Sequence, residues 1–331
     1  MSAENLPQRA STLPRRMPLE FPTSGDIFVG AITGIHVLGP QIGVGGTAKV
    51  FETKDGHAVK FFKLPQSGVY PVGATPEREA ALQSEFPVTA VPIVGVDSVE
   101  GRYMPFIVME LAQGTLRERI NKGSLPPEEG FNILIQLARA LEDIHDAGLV
   151  HRDVKPGNIL FTPNGVKLTD FGIAVRQGEE TMKDGTFLGS ASYIAPERLS
   201  EGKETAQSDI YSWAMVAYEV LTGEKPYGSI DVFDPYEIID AHLHRRPRPF
   251  SAVLGDRMTP LYEILERVIN KAAAKDLQDR YPDMRALLVD LEEAQIQAAT
   301  QVIHGQGRHP FRYKPRHAVL DESTVKLDVS T

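Results

Sequence analysis

The sequence predicts an α+β protein of two unlike lobes, the first rich in strands and the second helical. Two observations carry this. Strand-like alternation with hairpin-type turns is concentrated in residues 35–111, and apolar residues at helical spacing dominate from residue 114 to about 299. A third observation places the chemistry. One short strand–turn–strand pattern, 159–168, interrupts the helical half, with Asn158 before it and Asp170 after it.

Taken in order, residues 1–34 are rich in Pro, Ser and Arg, show no periodicity, and read as a loose extension. Residues 35–62 read as strands with two turns. Gly43, Gly45 and Gly46 mark the first, and Lys54-Asp55-Gly56 is a hairpin signal for the second. Residues 76–86, charged and Ala-rich, predict a short helix, and 105–111 a buried strand. Phe131, Leu134, Ala138, Leu141 and His145 then recur at helical spacing, with Pro126 and Pro127 near the start and Gly148 past the end. Pro163-Asn164-Gly165 joins the strand patterns 159–161 and 166–168. Residues 208–221 and 261–271 predict apolar helices, and 284–299 an amphipathic one. The last stretch, 295–331, is assigned to a tail that turns polar and patternless from about residue 305.

Composition narrows the chemistry. The 331 residues suffice for two lobes with sizeable cores, and 42% hydrophobic with 24% charged residues is ordinary for a globular protein. A formal charge of −9 argues against bulk attraction to nucleic acid. The chain has no cysteine, which excludes disulfides, thiolate metal sites and thiol catalysis. No apolar run reaches the roughly 20 residues of a membrane span. No apolar signal core accompanies Arg9, Arg15 and Arg16, so the expectation is a cytoplasmic protein.

The run Ile42-Gly43-Val44-Gly45-Gly46-Thr47-Ala48-Lys49-Val50 lies between two strand patterns. Glycines there let backbone N–H groups approach a phosphate. No Gly-Lys-Ser/Thr closes the run and a strand follows it, which excludes a Walker loop and a dinucleotide fingerprint. Lys60 stands among apolar residues in Ala58-Val59-Lys60-Phe61-Phe62. A buried ammonium needs a carboxylate, and Glu79 and Glu77 on the next helix are the candidates; a snorkelling edge lysine is the plain alternative. Asn158 and Asp170 flank the 159–168 hairpin, which draws them together. One amide and one carboxylate oxygen suit a hard cation. Asp153 faces the same space as a base for an attacking hydroxyl, and Lys155 adds positive charge for a phosphoryl group in transfer.

These motifs resemble the eukaryotic-type (Hanks-type) protein kinases, most closely the bacterial Ser/Thr protein kinases, over roughly residues 35–294. The resemblance implies the bilobal kinase fold. Its N-lobe would span about 35–110 and carry one main helix, its larger helical C-lobe about 113–294, with ATP in the cleft between them. Ile42, Gly43, Val44, Gly45, Gly46 and Val50 would cover ATP, with Ala58, Met109, Glu110, Leu111, Ala112 and Leu160 around its base. Lys60 would hold the α- and β-phosphates and Glu79 would hold Lys60. Asp153 would be the base and Lys155 the phosphate contact. Asn158 and Asp170, the latter in Asp170-Phe171-Gly172, would bind Mg²⁺, or Mn²⁺ in its place. Ala195-Pro196-Glu197 would close the activation segment, Asp209 would anchor the catalytic loop, and Arg280 would pair with Glu197.

Lys155 points to Ser/Thr acceptors on protein substrates. The expected partners also include a second copy of the chain for autophosphorylation, and exclude nucleic acid and a membrane span. Thr181 or Thr186 is the expected autophosphorylation site, with Ser190 and Ser192 nearer the segment's end, and Arg152 the residue that would receive the phosphate. The third loop glycine is replaced by Ala48, and Gly189-Ser190 stands where the family usually has Gly-Thr. A pseudokinase scaffold and a small-molecule kinase of the same fold are the competing readings. The retained Lys60, Asp153 and Asp170 weigh against the first, and Ala195-Pro196-Glu197, Asp209 and Arg280 against the second.

Overall fold

The computed structural model describes residues 21–30, 33–45, 48–63, 75–98, 105–123, 125–177, 179, 191–228 and 234–304. Gly46, Thr181, Thr186 and Ser190 lie outside the described residues.

The N-lobe is one antiparallel sheet. Its strands are β1 (Ile27–Gly30), β2 (Gly34–Val44), β3 (Ala48–Thr53), β4 (His57–Phe62), β5 (Ile93–Ser98) and β6 (Pro105–Glu110), in the order β1-β2-β3-β4-β6-β5. The sheet curls until its first hairpin meets its last strand: Thr33 donates its backbone N–H to Asp97 Oδ2 at 2.8 Å. Lys54-Asp55-Gly56 makes the β3–β4 turn, with Gly56 at φ 84°. Helix α1 (Pro76–Ser84) starts with proline at its first position and Thr75 capping Arg78 N at 3.2 Å. One sequence expectation is corrected here. Residues 27–30 belong to the sheet, paired with β2, whereas the reading of 1–34 left them loose. Ile-Phe-Val-Gly is too short a run to show alternation, so only its partner strand reveals it.

The C-lobe opens with the short strand β7 (Gly114–Thr115) and helix α2 (Leu116–Asn121), followed by α3 (Pro127–Asp146) and strand β8 (Leu149–Val150). Strands β9 (Ile159–Thr162) and β10 (Gly165–Leu168) form the expected hairpin, and β11 (Val175–Arg176) pairs with β8. Helices α4 (Pro196–Glu201), α5 (Ala206–Thr222), α6 (Pro235–His244), α7 (Phe250–Leu254), α8 (Pro260–Ala272) and α9 (Met284–His304) complete it. Helix α9 runs ten residues past the expected domain boundary at 294. Its apolar residues pack early, at Leu287, Leu291 and Ala294, and no Gly or Pro occurs between there and Gly305. Helix α5 is buried from Ser208 to Thr222 because other elements enclose it. Its Trp213 is fully buried and donates its indole N–H to Leu134 O of α3 at 3.1 Å.

Among the described residues, two backbone junctions join the lobes. The chain crosses from β6 to β7 through residues 111–113, where Gln113 N donates to Phe161 O at 2.7 Å. The loop after α1 makes the second junction. Val91 N donates to Leu168 O at 2.8 Å, Leu168 N to Thr89 O at 2.9 Å, and Lys167 Nζ to Pro87 O at 3.0 Å.

Candidate active site

Strand β4 carries Lys60 to the inner face of the sheet, and α1 brings Glu79 to it. Lys60 Nζ lies 2.5 Å from Glu79 Oε1 and 3.0 Å from Asp170 Oδ1. Glu77 is exposed, so helix phase settles which glutamate meets the lysine. Gly172 permits this closeness, because a Cβ there would sit 2.8 Å from Glu79 Oε2. Burial opposes the charge on Lys60, but Asp170 and Glu79 outweigh it and hold the ammonium above the usual lysine range. Burial, offset by Lys60 and reinforced by Asp170, pushes Glu79 up to about 7. Burial also opposes the Asp170 charge, yet Lys60, then Lys155 and His151, hold that carboxyl below its ordinary range. Of two carboxylates sharing one ammonium, Asp170 is therefore the one kept firmly anionic.

The β9–β10 hairpin brings the next pair together. Leu168 registers with Ile159, and one step beyond, Thr169 N donates to Asn158 O at 3.1 Å. Asp170 follows in a left-handed conformation (φ 68°). Asn158 donates its amide nitrogen to Asp153 Oδ2 at 2.9 Å and to Asp153 O at 3.0 Å. Its side-chain carbonyl is thus the atom it would offer a cation. Lys155 Nζ lies 2.6 Å from Asp153 Oδ2. A hard cation fits this donor set, carboxylate and amide oxygens with nothing softer.

Buried groups behind the loop fix its shape. Asp209, at the start of α5, accepts the backbone N–H of His151 at 2.8 Å and of Arg152 at 2.9 Å, and lies 2.8 Å from His145 Nε2. Burial opposes its charge, but these partners hold its pKa below the ordinary value. Phe171 stacks on Phe86, which follows α1, with ring centres 6.0 Å apart, and His151 packs edge-on to it at 4.8 Å. Glu197 binds Arg280 through both oxygens, at 2.9 and 3.1 Å.

The apolar residues expected around a base also converge. Ala58 and Met109 are buried in one cluster, with Val50, Leu111 and Leu160 packed against it from the glycine loop, the crossing and β9. Glu110 ends β6 and donates its N–H to Pro92 O at 3.0 Å, and half-buried Ala112 follows Leu111. Gly43 and Val44 pair with Val50 and Lys49, Gly45 N donates to Ala48 O at 2.9 Å, and Ile42 and Val44 are exposed on this flap.

This geometry coincides with a family match. The family model described as the protein kinase domain matches residues 37–286. The chain belongs to the protein kinase family. A probable serine/threonine-protein kinase of Streptomyces coelicolor is 34% identical to this kinase chain over 274 residues, 78% of this chain and 40% of the relative. Probable serine/threonine-protein kinase PknB of Corynebacterium glutamicum is 35% identical over 271 residues, 77% and 41% of the two chains. Serine/threonine-protein kinase PknL of Mycobacterium tuberculosis is 41% identical over 199 residues, 58% and 47%. The kinase chain thus spans less than half the length of each of these relatives. Among the described residues no helix is long and apolar enough to cross a membrane.

Sequence reasoning missed several residues around the kinase site. Arg78 of α1 donates to Ala174 O at 2.7 Å and to Glu179 Oε2 at 2.8 Å, which fastens α1 to the segment after Asp170. Arg117 of α2 and Tyr193 both bind Glu219 of α5, at 2.7 and 2.6 Å. Arg152 carries no partner from the activation segment among the described residues other than the Ile173 carbonyl; its guanidinium is held by Glu204. A cavity lined by Arg152, Val154, Tyr193, Ile194, Arg198 and Ser212 opens beside Asp153. Ser192 accepts a hydrogen bond from Lys225 Nζ at 3.1 Å. Arg152 and Ser192 are named from the sequence, but none of these pairings is; each joins residues remote in sequence, and only the fold supplies the partner.

Proposed function

We propose that this chain is a serine/threonine protein kinase that transfers the γ-phosphoryl group of ATP to Ser or Thr hydroxyls of proteins. Its catalytic domain would be residues 35–294, with an N-lobe of about 35–110 and a C-lobe of about 113–294. The observation that carries this is the shared Lys60, bound at once by Glu79 of the N-lobe and Asp170 of the C-lobe, with Asn158 and Asp153 hydrogen-bonded to each other at the other end of the hairpin that Asp170 follows. Membership of the protein kinase family supports the reading. The names of the relatives favour Ser/Thr acceptors.

In this mechanism Lys60 fixes the α- and β-phosphates, and Glu79 fixes Lys60. Val50, Ala58, Met109, Leu111 and Leu160 bind the base, with the backbone of 110–112 along its edge. Asp170 and Asn158 hold Mg²⁺, or Mn²⁺ in its place, which neutralises phosphate charge when bound. Asp153 orients the acceptor hydroxyl and takes its proton, while Lys155 offsets charge on the group in transfer. A second copy of the chain serves as substrate at Thr181 or Thr186. A cytoplasmic location is part of this proposal.

The test is transfer of labelled phosphate from ATP to a generic basic protein, set against transfer to small alcohols. Asp153→Asn is expected to lower kcat by about 10²–10⁴-fold, with nucleotide-analogue affinity kept within about threefold. Lys60→Met is expected to lose both. Transfer to the alcohols alone would assign a small-molecule kinase, and nucleotide binding without transfer a pseudokinase. Wild-type turnover by Asp153→Asn would remove the base from Asp153.

A further inference from the structure

Arg152 directly precedes Asp153 and has left-handed backbone geometry (φ 71°). Outside glycine such a conformation persists only when its surroundings hold it. The hold is double. Asp209 takes the Arg152 backbone N–H at 2.9 Å, and the Arg152 guanidinium donates to Glu204 Oε2 and, at 3.2 Å, to Ile173 O. Glu204 is not part of the activation segment. It lies in the link between α4 and α5, five residues before Asp209. Its other oxygen, Oε1, is 2.8 Å from Arg198 Nη1, and the same Arg198 nitrogen reaches Arg152 O at 3.4 Å.

The Glu204 side chain is only 3% exposed. A buried anion gripping two guanidinium groups through separate oxygens is the arrangement a phosphate adopts between arginines. The three groups sum to one net positive charge, and Asp153 lies close enough to attract Arg198. A phosphorylated Thr arriving at Arg152 would have to displace Glu204. It would leave a buried carboxylate without its partner, which is strongly unfavourable.

We propose that Glu204 is a built-in counter-anion for Arg152 and Arg198, a positioning residue that holds the catalytic loop in its working shape without a phosphate. This rests on the protein kinase reading above. Activation-segment phosphorylation, where it occurs, then acts on acceptor binding or recruitment and not through Arg152.

Wild type, Glu204→Ala, Glu204→Gln and Glu204→Asp are compared before and after phosphatase treatment, with mass spectrometry confirming removal of phosphate from the chain. Wild-type kcat is expected to stay within about twofold on dephosphorylation, and Glu204→Ala to lose about 10²-fold in kcat with little change in KM for ATP. Glu204→Asp, which keeps the charge, recovers part of the loss. A second readout is independent of catalysis. Inorganic phosphate raises the melting temperature of Glu204→Ala or Glu204→Gln but not of wild type, because the anion enters the vacated seat. Wild-type kcat in Glu204→Ala, or a tenfold loss in dephosphorylated wild type, overturns the proposal. An inactive wild type would count against the kinase reading instead, and the phosphate-dependent melting would still decide the role of Glu204. Should Glu204→Ala fail to fold, the wild-type dephosphorylation arm decides alone.

Discussion

Lys60 has two carboxylates and one charge, and Gly172 is what lets the arrangement close. An alanine at 172 would put a Cβ 2.8 Å from Glu79 Oε2, closer than real Cβ contacts come. Glu79 is buried on a helix and cannot step aside freely. Gly172→Ala is therefore expected to push the carboxylate off Lys60 and raise KM for ATP by about tenfold, the equivalent of about 1.4 kcal/mol of binding. Unchanged KM, with unchanged melting temperature, would show that Glu79 relaxes at no cost. At this scale the sequence was informative where chemistry is unusual. A lysine inside an apolar strand, and acidic or amide side chains at both ends of one hairpin, stand out without any structure. Glu204 did not stand out, because a glutamate in Gly202-Lys203-Glu204-Thr205 looks like any solvated turn. Its significance comes only from Arg152 and Arg198, 52 residues away for the guanidinium it holds.

Among elements, α6 shows how the C-lobe secures a helix that carries little core of its own. Its His242 is 1% exposed and sits with Nδ1 3.0 Å from Tyr211 Oη of α5. Lys275 donates to Tyr211 and Tyr227 at 3.1 and 2.9 Å and to His242 O at 2.7 Å, near the C-terminal end of α6. Burial, then the charges of Lys275 and Lys225, lower the His242 pKa to about 3. The unfolded chain takes up this proton near pH 6.5 and the folded chain does not until far lower. This contribution to stability is therefore complete above pH 6.5 and is lost as pH falls. The loss is about 1.4 kcal/mol per pH unit once below 6.5. Urea melts at pH 7.5 and pH 5 should show His242→Gln losing about 2 kcal/mol less than wild type over that interval. Parallel losses would mean the imidazole is protonated in the fold. Elements with long periodic patterns, such as α3, α5 and α8, were legible in the sequence. Helices α4 and α7, of six and five residues, were not, because so few turns cannot establish a period.

The whole molecule has unequal cores. The C-lobe's apolar cluster runs through α3, α5, α8 and α9 and reaches Leu82, Phe86 and Ala90 near α1, while the N-lobe sheet holds two small clusters. A smaller core is the less stable one. The sole tryptophan, Trp213, lies in the larger. Rising urea is accordingly expected to abolish nucleotide-analogue binding before Trp213 emission shifts, two transitions where a single cooperative unit would give one. Coincident midpoints would sink this. The order of the two lobes and their unlike content were legible from the change of period along the chain. The curl that brings Thr33 to Asp97 was not, since it depends on accumulated strand twist, which no local pattern records.

The double attachment between the lobes has a mechanical meaning. One fastening is the crossing at residues 111–113, the other the backbone bridge from Thr89 and Val91 to Leu168. Two fixed points define a line, and rotation about that line is the rigid motion that leaves both unbroken. Rocking of the upper lobe about that line would part Arg78 from Ala174 O and Glu179, and Arg176 from Glu85, while sideways slip or torsion would tear one pin. Lys60 and Glu79 ride on the moving part and Asp170 on the stationary one. On such an opening the 3.0 Å contact from Lys60 to Asp170 would lengthen, while the 2.5 Å contact to Glu79 would travel with the lobe. One lysine thus serves as the gauge of how far the mouth is open.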